Sequence, residues 1–419
     1  MKSSIKNPPP LRIDINKLKT EFHQELHNIL NWWSTHMVDE KNGGFFGRVD
    51  GHGKLFPEAD KGVILNTRML WTYSAVALAT GDSLHHQLAH RAYAYFCEHF
   101  WDDLEGGVFW SVDHLGNPAD TQKQIYAQAF AVYALGEYYA LTKKREALEQ
   151  AEEIFWLIEK YSFDRQKNGY LSAFARDWSP MDDIRLSEKD ANEAKIMNTH
   201  LHILEAYTRF YRIKPSTALR NSLENVVGLF LERFYIPENG SLQIYFDENW
   251  APKGNDISFG HNVEASWLLW EAAEVVGDAN IQERVRPVCL HMAESVLLAA
   301  VDSDGAILYE ACPLGLKDTD KHWWPQTEAV VGFWNAWQLT GEERYAGAAV
   351  NCWSFIKTYL LDQEEGEWHW RTDRCGRPIL SEDKAGPWKA PYHNSRMCLE
   401  MGRRLISPLE EKRPLDLVE

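Results

Sequence analysis

Six times along the chain, at a period of roughly 60–70 residues, a Gly-bearing aromatic segment follows a long helical pattern, and this repetition limits the fold more than any motif does. The segments are 43–50, 106–113, 168–174, 239–247, 304–310 and 365–371. Each reads as a short strand pair. Turn chemistry is evident in Asp50-Gly51-His52-Gly53, His114-Leu115-Gly116-Asn117 and Arg374-Cys375-Gly376-Arg377.

Between successive hairpins there is room for two helices, with apolar residues near i, i+3, i+4 and i+7, as in Tyr126, Phe130, Tyr133 and Leu135. The spacing predicts helix pairs over 14–36 and 62–80, 83–99 and 121–141, 145–161 and 190–213, 216–234 and 261–276, 279–299 and 323–339, and 342–360 and 391–405. A helix pair cannot bury both of its faces alone, so six pairs either stack as an open solenoid or close into a ring. The heavy divergence of the repeats and their aromatic loops favour the ring. The expected fold is all-α, an (α/α)6 barrel with the hairpins at one rim.

No composition break divides the 419 residues, so 1–419 is read as a single catalytic domain, with 1–13 (including Pro8-Pro9-Pro10) a lead-in and 406–419 a tail. A formal net charge of -17 without a basic run makes nucleic acid and anionic membrane poor partners. No stretch approaches the roughly 20 apolar residues of a membrane span, and the polar start carries no signal-peptide core. The scattered cysteines Cys97, Cys289, Cys312, Cys352, Cys375 and Cys398 lack paired or metal-ligand spacing. Free thiols in a reducing cytoplasm are expected. With no phosphate loop, dinucleotide fingerprint or His-Glu-x-x-His helix, the chemistry falls to ordinary side chains.

Tryptophan is over-represented, at 18 residues, and Trp110, Trp178, Trp250, Trp323, Trp324, Trp368, Trp370 and Trp388 do not lie at interior helix positions. They serve either rim packing or a ligand site, and indole faces suit the C–H faces of a pyranose. Among 16 histidines, most sit in ordinary amphipathic helices. Four segments stand apart. In 195–202, Lys195, Asn198 and His202 fall on one helix face, either solvent- or cavity-facing. In 258–267, His261 and Glu264 are three apart, so the carboxylate either orients the imidazole or caps the helix. The segment 387–396 puts His393 at a helix start with Arg396 one turn on, and 321–328 holds Lys321, His322, Trp323, Trp324 and Glu328. All four lie near the start of the second helix of a repeat and converge if the ring closes.

The runs Gly260-His261-Asn262-Val263-Glu264-Ala265-Ser266-Trp267, Lys321-His322-Trp323-Trp324-Pro325-Gln326-Thr327-Glu328-Ala329 and Trp388-Lys389-Ala390-Pro391-Tyr392-His393-Asn394-Ser395-Arg396 resemble those of the cellobiose 2-epimerase family, in the acylglucosamine 2-epimerase superfamily. Lys123-Gln124-Ile125-Tyr126-Ala127-Gln128 and Asn66-Thr67-Arg68-Met69-Leu70-Trp71 fit the same family, and the likeness runs from about residue 14 to 405. One departure is Asn262-Val263, where Asp-Ile is expected.

The resemblance implies reversible inversion at C2 of the reducing-end sugar of a β-1,4-linked disaccharide, such as cellobiose or lactose. It implies His261 and His393 as the two opposed bases and Glu264 as the group that orients His261. Arg68, His202, Asn198 and Tyr126 are then donors to an enediolate, Trp324 and Trp388 hold the sugar with Trp323 nearby, and Asp190 contacts the non-reducing unit. No metal or cofactor is implied, and a monomer is expected. The rivals are an inverting glycoside hydrolase using two of Asp190, Glu193, Glu264 and Glu328, an epimerase or isomerase for mannose or acylglucosamine, and a non-catalytic sugar-binding protein.

Overall fold

Two kinds of helix alternate along the chain. Helices α1 (Ile15–His36), α3 (Ser83–Tyr95), α5 (Arg145–Leu157), α7 (Thr217–Leu229), α9 (Ala279–Ala299) and α11 (Glu343–Phe355) bury one stripe and expose the rest. In α1 that stripe is Leu18, Phe22, Leu26, Ile29 and Trp33. Helices α2 (Val63–Thr80), α4 (Ile125–Thr142), α6 (Met197–Ile213), α8 (Phe259–Val276), α10 (Trp323–Thr340) and α12 (Tyr392–Arg404) are buried on nearly every side. A helix without a wet face must be wrapped by others.

The computed structural model, which describes residues 13–405, shows that wrapping as two concentric rings. The proline run, most of the expected lead-in and the expected tail lie outside the described residues. Helices α2, α4, α6, α8, α10 and α12 neighbour one another in order, and α12 returns to α2. Each remaining helix packs outside the preceding inner one, α3 on α2 through to α1 on α12. The fold is an (α/α)6 barrel.

The hairpins stitch the rim where the inner helices begin. The dipeptide before each of the first five inner helices pairs, antiparallel, with the next hairpin: Lys61–Gly62 with Ser111–Val112, Lys123–Gln124 with Ala173–Phe174, Lys195–Ile196 with Tyr245–Phe246, and Lys321–His322 with Arg371–Thr372. Ile257–Ser258 pairs likewise with Glu310–Cys312. A bridge between Val49 and Ala385 closes the circle. These dipeptides explain why α4 and α6 start at Ile125 and Met197 instead of 121 and 190. Lys195 is therefore a strand residue, not part of a helical stripe with Asn198 and His202. Its ammonium turns to Asp164 Oδ2, at 3.0 Å.

That lysine belongs to a series. Lys61 meets Asp39 at 2.9 Å and Lys123 meets Asp102 at 2.8 Å, both pairs fully buried, while Lys321 reaches Asp302 and Asp304. The fourth repeat has Ile257 at the lysine position. A second series is the fourth residue of α4, α6, α8 and α10, which clamps the hairpin: Gln128 takes both the N–H and the C=O of Val108, and Gln326 does so for Ile307. His200 accepts from Tyr170 N at 2.9 Å, and Asn262 Oδ1 from Leu242 N at 3.1 Å. The Asn262-Val263 departure thus bears on hairpin packing and not on the neighbouring imidazole.

Several of the tryptophans belong to the rim. Trp178 and Trp250 donate their indole N–H groups to the carbonyls of Glu105 and Lys167, and Trp368 donates to Glu25. Trp323 and Trp324 are the first residues of α10, where the predicted helix 323–339 begins. Gly260 lets Trp324 lie against the start of α8, because a Cβ there would sit 2.5 Å from the indole ring.

Candidate active site

The first two turns of the inner helices supply the side chains at the middle of the hairpin rim. Arg68 comes from α2, Tyr126 from α4, Asn198 and His202 from α6, His261 and Glu264 from α8, Trp324 and Glu328 from α10, and His393 and Arg396 from α12. Segments far apart in sequence meet here because the ring closes.

Beneath the histidines lies a layer of buried charge. Arg396, on α12, donates to three carboxylates from three helices: Glu205 through Nη1, and Glu264 at 2.6 Å and Glu328 at 2.7 Å through Nη2. Glu205 also accepts from the Tyr392 hydroxyl, and Glu328 from Trp267 Nε1 at 3.0 Å. Burying so many charges is tolerable only because each is paired and hydrogen-bonded. Three carboxylates on one guanidinium leave a surplus of negative charge. Burial, with Glu328 alongside, pushes Glu264 up to about 8. Glu205 responds the other way: burial raises it, but Arg396 and His202 together hold it at about 2.

Two of the three imidazoles rest on this layer. His393 Nδ1 lies 2.7 Å from Glu328 Oε1, and His202 Nδ1 lies 2.9 Å from Glu205 Oε2. A carboxylate can only accept, so Nδ1 carries the proton and Nε2 is left with its lone pair. Burial lowers the pKa of both rings, so both are neutral near neutral pH. His261 differs. Glu264, expected to orient it, is turned to Arg396 instead, and the partner of His261 Nδ1 is the Ser258 hydroxyl at 2.7 Å. Burial holds its pKa down at about 3.

The walls are aromatic. The Trp324 ring lies 4.8 Å from that of His261 and 5.7 Å from that of His393, so two imidazoles from different helices flank one indole. Tyr126 packs edge-on to His202 at 4.6 Å and to Trp388 at 5.9 Å. Arg68 donates to the Trp388 carbonyl at 2.6 Å and the Tyr126 hydroxyl at 3.0 Å, with its guanidinium over the Phe130 ring. Trp324, Trp388, Asn198 and His261 keep partial exposure, and the Asn198 Oδ1 atom is buried without a partner among the described residues.

Two expected sugar contacts are already engaged by protein neighbours. Trp323 is buried against Trp370 at 4.6 Å and forms wall rather than open surface. Asp190, in the segment before α6, accepts from Tyr245 at 2.9 Å and Ser187 at 2.6 Å. Glu205, Tyr392, Trp267 and Ser258 received no role from sequence, and Arg396 was seen only as a neighbour of His393. Glu205, Ser258 and Tyr392 had local signals, lying three residues after His202, three before His261 and four before Arg396. Glu264, Glu328 and His393 could in principle ligate a metal ion, their atoms lying within 4.8 Å of one another, but Arg396 already bridges both carboxylates.

The comparisons with known proteins agree with this fold. Residues 44–396 match the model of the N-acylglucosamine 2-epimerase (GlcNAc 2-epimerase) family. A cellobiose 2-epimerase of Bacteroides fragilis is 46% identical over 386 residues, covering 92% of this chain and 98% of the relative. The structure of cellobiose 2-epimerase from Bacillus thermoamylovorans superposes with a TM-score of 0.89 at 38% identity, over 93% of this chain and 100% of that one. That of Spirochaeta thermophila gives 0.87, also at 38% identity, over 95% and 99%. The chain belongs to the N-acylglucosamine 2-epimerase family, and within it stands with the cellobiose 2-epimerases.

Proposed function

We propose that this protein is a cellobiose 2-epimerase, an isomerase that reversibly inverts C2 of the reducing-end sugar of β-1,4-linked disaccharides, cellobiose to glucosyl-mannose and lactose to epilactose. It acts as one catalytic domain and as a monomer, without metal or organic cofactor. The six cysteines, all free thiols, suit a reducing cytoplasm.

The observation that carries the reading is the pair of imidazoles, His261 and His393, flanking Trp324. Inversion next to a carbonyl needs a proton removed from one face of C2 and returned to the other. After ring opening, one neutral imidazole takes the C2 proton at Nε2, and the other, having gained a proton at Nε2 as the imidazolium, delivers it to the opposite face, the two exchanging roles in the reverse direction. The enediolate between them is negative at O1 and O2. Arg68, Tyr126 and Asn198 are the donors that stabilise it; His202, whose Nδ1–H is given to Glu205, donates from Nε2 only as the imidazolium. Trp324 and Trp388 receive the sugar faces, and Asp190 meets the non-reducing unit. Glu328 orients His393, while Glu264 acts through Arg396 on the charge layer.

The Glu264–Glu328 pair of the hydrolytic rival is disfavoured by distance. An inverting pair needs carboxyls roughly 6.5–9.5 Å apart to admit water, whereas oxygens of Glu264 and Glu328 lie within 4.8 Å and share one guanidinium. Incubation with cellobiose, followed by NMR of the intact products, tests the proposal. Glucosyl-mannose without free glucose is expected; released glucose contradicts it.

A further inference from the structure

His202 and His393 each hand Nδ1 to a carboxylate, whereas His261 hands it to a hydroxyl. The difference has consequences for a base that must both take and give. A carboxylate accepts only, so it locks Nδ1–H in place and favours the imidazolium. A hydroxyl rotates. It accepts from Nδ1–H whether Nε2 is free or protonated, and donates to Nδ1 only in the neutral Nε2–H tautomer. Ser258 is fixed for this by being the last strand residue before α8, paired with Glu310 across the sheet.

We propose, on the reading of the site as a two-histidine epimerase, that Ser258 is the positioning residue of His261, orienting its ring through either protonation state and keeping it a weaker base than a carboxylate-held imidazole. In the forward step Nε2 of His261 takes the C2 proton, the C–H electrons pass into the enediolate, and the resulting imidazolium donates Nδ1–H to Ser258 Oγ. In the reverse step the same proton returns to C2. The titratable groups facing His261 are His202 from α6 and Glu328 from α10; Glu264, on its own helix, is tied to Arg396 of α12, and Glu310 is paired with Lys317. None of these supplies Nδ1 with another hydrogen bond among the described residues.

The test uses Ser258→Ala, Ser258→Thr and Ser258→Asp in the full chain. Ser258→Ala should lower kcat roughly ten-fold or more with KM little changed, and Ser258→Thr should restore most of it. Ser258→Asp should move the acid limb of the pH profile upward by about one unit, as a carboxylate neighbour raises an imidazole pKa. The 15N resonances of His261 in substrate-free protein, assigned by their loss in His261→Gln, should change tautomer pattern in Ser258→Ala and return with Ser258→Thr. Parent-like kcat and resonances in Ser258→Ala overturn the proposal. So does a loss of rate that threonine does not restore, with an acid limb that aspartate does not move. The resonances are read without turnover, so they test Ser258 even if the protein does not epimerise cellobiose.

Discussion

Each imidazole of the site owes its state to the group behind it. Burial keeps all three rings neutral, and Glu205, Glu328 and Ser258 decide which nitrogen faces inward. Replacing His261 or His393 by Asn should therefore lower kcat by about a hundred-fold or more while circular dichroism stays that of the parent; near-normal turnover removes that ring from the mechanism. Because their folded pKa values are depressed, the acid limb of activity should fall below the ordinary histidine value of about 6.5. The histidines themselves were legible in sequence because they open helices beside aromatics. Their partners were not. Glu328 and His393 are separated by 65 residues and meet only through ring closure. The expected His261–Glu264 contact failed because helical spacing says which side chains can touch, not which stronger partner, here Arg396, draws one away.

The repeated element is an outer helix, a hairpin and an inner helix, and its most regular internal contact is a buried lysine–aspartate pair. Lys61→Met leaves Asp39 buried without its cation, and should cost about 3–5 kcal/mol in a denaturant titration. A change below about 1 kcal/mol would mean that backbone N–H groups alone satisfy Asp39. All twelve helices of the described residues were legible because the 3.6-residue period is strong, but the starts of α4 and α6 were misplaced. Lys123–Gln124 and Lys195–Ile196 continue that period, and only the partner hairpin, some 50 residues on, makes them strands. The lysine series itself was readable as a repeat, with Ile257 as its exception.

At the scale of the molecule, closure puts histidine in dry places and so couples stability to acid. His200 is held at about 4 by burial, and His322 at about 3. Their folded values lie below the unfolded value of about 6.5, so the unfolded chain binds protons first; their stabilising effect is complete above that pH and lost as pH falls toward 4. His200 alone should forfeit about 3 kcal/mol by pH 4. His200→Gln, a residue that clamps hairpins in two other repeats, should flatten the dependence of Tm on pH between about 6.5 and 4; an unchanged slope would clear His200. The barrel was visible from periodicity, while the charge layer at its heart was not, since it draws on α6, α8, α10 and α12 together. The central claim, inversion at C2 by two opposed imidazoles, is tested most directly by running the reaction with cellobiose in deuterated water and reading C2 of the epimer by NMR. Deuterium at C2 in an otherwise intact disaccharide is the predicted result. Epimer carrying no solvent deuterium at C2 would contradict it.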